Sequence, residues 1–81
     1  MGKSIYSAGQ EKLQELLCQV RREAKLTQTA LARKLRRPQS YVSKIESGER
    51  RLDLIELRQL CKATGISSAD FLRRFEQALR D

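Results

Sequence analysis

From Gln10 onward, apolar residues recur at Leu13, Leu16, Leu17, Val20 and Ala24, a spacing that lines one face of a first helix. Leu26 then packs, and Thr27 is placed to cap a second helix running to about Leu35, with Leu31, Ala32 and Leu35 facing inward. Arg36, Arg37 and Pro38 form a turn, because proline drives the residue before it out of the α region. Pro38 brings no N–H to the start of a helix and so is tolerated there. A third helix continues to Ser47 and stops at Gly48, the residue best suited to a left-handed helix end. Asp53 can cap a fourth helix, Leu54 to Thr64, with Leu54, Leu57, Leu60 and Cys61 in its stripe and Ile55 adjacent. Gly65 ends it. Ser67, with Asp70 three residues later, resembles a capping box for a fifth helix carrying Phe71, Leu72, Phe75 and Leu79. No segment alternates with period two. The pattern predicts an all-α, compact five-helix bundle over residues 10–81, preceded by a flexible arm at residues 1–9.

The third helix divides most sharply. At about 100° per residue from Gln39, Ser43 falls at about 40°, Ser47 at about 80°, Ser40 at about 100° and Lys44 at about 140°. Tyr41, Ile45 and Val42 fall on the opposite side, at about 200°, 240° and 300°. One side is packable, and the other holds Gln, Ser and Lys with no acidic group. Such side chains suit the base edges of a DNA major groove, although in isolation they equally describe an ordinary wet helix face.

Charge changes the balance between those readings. Ten of the 17 basic residues but only three of the ten acidic ones lie between Arg21 and Arg51, so the whole net charge of +7 falls there. A basic centre between neutral flanks is the footprint of a polyanion-binding surface, against the plainer reading of a solvated basic face. For Arg33 and Lys34 solvation is the better account.

Several classes are excluded. With two cysteines far apart and no histidine, a structural zinc site lacks ligands, and no cofactor is expected. Cys61 reads as a small core residue, and Cys18 sits beside the apolar stripe of the first helix. Neither a Gly-rich phosphate loop nor clustered carboxylates are present, so no catalytic apparatus is expected. Without a signal-peptide core or an apolar run near spanning length, the protein is expected to be soluble and cytoplasmic, with no membrane partner.

The 25 residues from Leu26 to Arg50 resemble the lambda-repressor and Cro-like helix-turn-helix family, often called the XRE family. Leu26, Thr27, Gln28, Leu31, Ala32, Leu35, Gln39, Ser40, Val42, Ser43, Lys44, Ile45, Glu46, Gly48 and Arg50 occupy matching positions, and the resemblance extends over about residues 10 to 75. Two positions depart from it. Arg36 stands where the family usually has Gly. It either takes a left-handed conformation, at a cost of roughly 1–2 kcal/mol, or stays right-handed and adds a phosphate contact. Pro38 replaces a frequent Ser or Thr cap.

The resemblance implies double-stranded DNA as partner, and a transcriptional regulator, a repressor by expectation. Gln39, Ser40, Ser43 and Lys44 would contact bases, while Gln28, Arg37, Tyr41, Arg50 and, less clearly, Arg51 would contact phosphates. Gln28 would also brace Gln39. Arg21 would form a structural ion pair with Glu46. A single short helix reads too few base pairs for a genomic address, so a homodimer on a two-fold symmetric operator is expected. Phe71, Leu72, Phe75 and Leu79 of the fifth helix, first of all core, would supply its interface. Two alternatives share this fold: an antitoxin that binds a small toxin and represses its own operon, and the controller protein of a restriction–modification system.

Overall fold

Helix capping and hydrophobic spacing set five helices in the computed structural model, which describes residues 8–81: α1 (Ala8–Glu23), α2 (Gln28–Leu35), α3 (Gln39–Ser47), α4 (Leu54–Thr64) and α5 (Ser68–Arg80). No strand occurs among the described residues. Residues 1–7 of the expected arm lie outside the described part. Ala8 and Gly9 already belong to the first turn of α1, ahead of the start at Gln10 that periodicity indicated.

Each start after α1 has its own chemistry. Thr27 accepts from the Ala30 N–H at 3.0 Å and Ser67 from the Asp70 N–H at 3.0 Å. Pro38 occupies the cap of α3 with an extended backbone and no side-chain hydrogen bond. The complete capping box lies at α4: Glu56 N–H donates to Asp53 at 2.8 Å, and Asp53 N–H donates back to the Glu56 carboxylate at 3.1 Å. At Ser67 only half of the expected box forms. The Asp70 side chain, one methylene shorter than Glu, pairs with Arg73 instead.

The helix ends share one geometry with different residues. Gly48 and Gly65 are left-handed, at φ 87° and 83°. So are Lys25 and Arg36, at φ 63° and 58°. At Arg36 its own N–H reaches the Arg33 carbonyl and the next N–H reaches Ala32, the paired bonds of a Schellman end. Lys25 and Leu26 do the same with Arg22 and Arg21. The right-handed alternative for Arg36 is thereby overturned. Closing the α2 carbonyls outweighs the conformational cost.

α3 packs on α1 and α2, α4 on α2 and α5, and α5 back on α1. The core joins Leu16, Leu17 and Val20 of α1 to Leu31 and Ala32, then Val42 and Ile45, then Leu60, Cys61 and Phe71. Cys61 and Cys18 are both free thiols, Cys61 buried and Cys18 partly so. Burial pushes the Cys61 thiol up, which keeps it protonated. Two expectations fail in α4 and α5. Leu54, assigned to the buried stripe, is 77% exposed, and Ile55 beside it 68%. Side chains tilt toward a helix's N-terminus, so residues of the first turn point off the end of α4 instead of onto its neighbours. Phe71, expected at a dimer interface, is 1% exposed and fills this chain's own core. Leu72 and Leu79 stay outside, at 54% and 45%. A bidentate pair, Arg74 to Glu23 with both contacts at 2.8 Å, ties α5 to the end of α1 and holds the Glu23 carboxyl below its ordinary pKa.

Candidate nucleic-acid interface

α3 is short, and its orientation comes from three anchors on its apolar side. Val42 and Ile45 are 1% and 2% exposed, and Tyr41 is 8%. With those fixed, Gln39, Ser40, Lys44 and Ser47 face outward and Ser43 is half-buried. The four expected base-reading residues, Gln39, Ser40, Ser43 and Lys44, therefore lie together along one face that carries no carboxylate. Gly48 lets the chain turn away at the end of α3, and the Gln14 amide of α1 lies close against it, donating to the Glu46 carbonyl at 3.4 Å.

Behind this face, Arg21 is a buried charged side chain, at 8% exposure. Its Nε donates to Glu46 Oε2 at 2.7 Å and its Nη2 to Oε1 at 3.1 Å. The remaining guanidinium donors reach the Leu26 carbonyl at 2.9 Å and Cys18 Sγ at 3.6 Å. A buried pair so fully bonded meets the condition under which burial of charge is tolerated. The carboxylate of Glu46 raises the Arg21 pKa further, against the lowering effect of burial. Gln28 Nε2 also donates to Glu46, at 2.9 Å, and Gln28 Oε1 accepts from Gln39 Nε2 at 2.8 Å. The bracing of Gln39 by Gln28 is thus direct, and one Gln28 N–H is left over for a further acceptor.

The expected phosphate contacts divide. Arg37 and Arg51 are exposed, and Arg50 is half-buried. Tyr41 is largely buried, and two guanidiniums lie over its ring, Arg37 at 4.5 Å and Arg50 at 4.8 Å from the ring centre. Both cations stand in a cation–π arrangement with the ring. Burial, and secondly the negative charge of Glu56, push the phenol pKa up, so it stays neutral. Arg50 is further engaged by Glu56, through Nη1 at 3.0 Å and Nη2 at 2.8 Å. This fork and the Asp53 N–H bring the Glu56 carboxyl from 4.5 down to about 2. Glu56 is the site residue that the sequence reading passed over. Its signal was present in the Asp53-x-x-Glu56 spacing, which marks a capping box but says nothing of the arginine.

Among the described residues, no cluster of acidic or cysteine side chains is arranged to hold a metal ion, and no helix is long and apolar enough to cross a membrane. A helix-turn-helix of this build is a DNA-binding device: α2 and α3 joined by a left-handed turn, with the outer face of α3 free to enter a groove. A family profile described as helix-turn-helix matches residues 19–71. An XRE-family-like protein from Pseudomonas syringae pv. tomato str. DC3000 is 43% identical, with TM-score 0.83, over 93% of this chain and 92% of that one. The chain belongs to the XRE-family helix-turn-helix proteins, DNA-binding regulators of transcription. It is also similar to the wild-type restriction–modification controller protein C.Esp1396I, at 25% identity and TM-score 0.84, covering 93% of this chain and 99% of the other. The clp gene regulator ClgR from C. glutamicum is 28% identical with TM-score 0.77, over 89% and 92% of the two chains. No match was found among curated proteins.

Proposed function

We propose that this protein is a sequence-specific repressor that acts in the cytoplasm as a homodimer on a two-fold symmetric operator. The observation that carries the reading is the outer face of α3, where Gln39, Ser40, Ser43 and Lys44 stand clear of any carboxylate on a helix anchored by Tyr41, Val42 and Ile45. Gln39 offers donor and acceptor atoms to adenine, and Lys44 offers donors to guanine O6 or N7. Arg37, Arg50, Arg51 and the spare N–H of Gln28 take the flanking phosphates. The dimer is supported by Leu72 and Leu79, which lie seven residues apart on one side of α5 and remain exposed, with half-buried Phe75 between them. Two subunits then set their α3 helices in half-sites about 10 base pairs apart. A second reading, a restriction–modification controller, is favoured by the likeness to C.Esp1396I over nearly the whole of both chains. Restriction and methyltransferase genes beside this one would decide for it.

Selection from a random oligonucleotide pool yields the operator and its spacing together. Gln39→Ala and Lys44→Ala should each lose about 1–3 kcal/mol of base discrimination while nonspecific binding persists. Parental discrimination in both variants would sink the assignment of α3. Sedimentation tests the assembly: Leu72→Asp should give monomers, and the slope of log K against log salt should fall from about −7 toward half that value. A one-to-one complex on a non-symmetric site, indifferent to Leu72→Asp, would sink the dimer.

A further inference from the structure

The hydrogen-bond chain Arg21–Glu46–Gln28–Gln39 has a direction, and chemistry forces it. A guanidinium only donates and a carboxylate only accepts. Glu46, already accepting from Arg21 at 2.7 and 3.1 Å, meets Gln28 at 2.9 Å, so Gln28 must turn its NH2 toward the carboxylate. Reversing the Gln28 amide would set two oxygens against each other. Its carbonyl therefore faces Gln39, and Gln39 must in turn offer its NH2, at 2.8 Å. What remains to Gln39 for a base is one N–H and a carbonyl oxygen.

We propose that Glu46 is a specificity-positioning residue: by accepting from Gln28 it dictates which way round the Gln39 amide faces DNA. The inference rests on the reading that Gln39 contacts a base. A donor beside an acceptor matches adenine N7 and N6, whereas two donors match guanine N7 and O6. Glu46 touches no DNA in this scheme. It is a half-buried residue of α3 itself and acts through the polarity of the relay.

Glu46→Gln keeps the shape and reverses that polarity. Glu46 Oε1 accepts from both Gln28 and Arg21 Nη2. The new amide therefore keeps its oxygen on the shorter 2.7 Å bond from Arg21 Nε and turns its NH2 to Gln28. It gives up the 3.1 Å bond from Nη2, which lowers Tm. Gln28 flips, Gln39 flips after it, and two N–H groups face the groove. The base pair to watch is the one whose preference disappears in Gln39→Ala, found by binding each variant to the selected operator and its single-base substitutions. There, Glu46→Gln should move the preference from adenine to guanine, by at least about tenfold in relative affinity. Gln28→Leu cuts the relay without touching the ion pair and should bring the two bases within about twofold, whatever it does to total affinity. This variant decides the matter if Glu46→Gln does not fold. Arg21→Lys retains a donor-only partner, so it should lower Tm and leave adenine preferred, whereas Glu46→Gln should move the preference. A purely structural role for the pair would leave the base preference alike in both. Unchanged adenine preference in Glu46→Gln, or in Gln28→Leu where only that variant folds, overturns the proposal. If Gln39→Ala alters no base preference at all, the reading of Gln39 itself fails, and the proposal with it.

Discussion

α3 and the α4–α5 pair are built from the same kind of amphipathic pattern, yet only in α3 does each apolar position find a cover. Tyr41, Val42 and Ile45 are buried between α1 and α2, and every residue of the opposite face is polar. In α4 and α5, Leu60, Cys61 and Phe71 reach the core while Leu54, Ile55, Leu72 and Leu79 stay in water. A hydrophobic stripe states what a helix could bury. Whether it does so depends on having another helix opposite, and on where along the helix the residue sits. On the function proposed above, the exposed leucines are the surface for a second copy of the chain, and the polar face of α3 is the one for DNA.

The largest test of that contrast sets neighbours on α5 against each other. Phe71→Ala should cost about 3–5 kcal/mol, since it empties a fully buried site. Leu72→Ala, measured at concentrations where the chain is monomeric, should stay within about 0.5 kcal/mol. Urea denaturation of the two variants checks both. Comparable losses would mean that Leu72 is covered within the monomer and that α5 has no free face.

A smaller effect is expected where α2 meets α3. The left-handed conformation at Arg36 costs an L-residue roughly 1–2 kcal/mol, and glycine there would pay back about 0.5–1 kcal/mol in unfolded-state entropy. Arg36→Gly should therefore raise stability by about 0.5–1 kcal/mol. Gly65→Ala, with φ of 83° and nothing within 4 Å of an added Cβ, should lower it by about 1 kcal/mol through backbone strain alone. Melting curves of these two variants should move in opposite directions. A loss of stability in Arg36→Gly would show that the arginine side chain contributes contacts which offset its backbone.

How much could be read beforehand follows from the range of each interaction. Val42, Ile45 and the outward Gln39 and Lys44 were legible because period and turn residues are local, and the turn at Arg37–Pro38 is announced by proline itself. Arg36 was ambiguous because either hand of the turn satisfies local rules, and only the carbonyls of Ala32 and Arg33 decide. Leu54 misled because periodicity is blind to the end of a helix. The Arg21–Glu46 pair spans 25 positions and came from family resemblance, not from any spacing rule. Glu56 was missed because its cap function is local but its grip on Arg50 arises in the loop between α3 and α4.

That grip gives the smallest expected effect, and it has a definite pH signature. Glu56 titrates at about 2 in the folded chain against an ordinary 4.5. A depressed carboxyl pKa stabilises the fold above the ordinary value, and the contribution fades as pH falls toward the folded one. The Arg50 side chain is 37% exposed and that of Glu56 13%, so solvent screens the pair in part and the gain is modest. Glu56→Gln should have a lower Tm than the parent at neutral pH, and the gap should close between about pH 4.5 and pH 2. Glu23, also depressed, is present in both proteins and cancels from the difference. The same substitution frees Arg50 on the α3 side, so binding to DNA at fixed salt should strengthen while Tm falls. A Tm gap that stays constant from pH 7 to pH 2 would mean that the carboxylate does not hold Arg50 in solution. The loop that follows α3 would then lack its charged tie to α4.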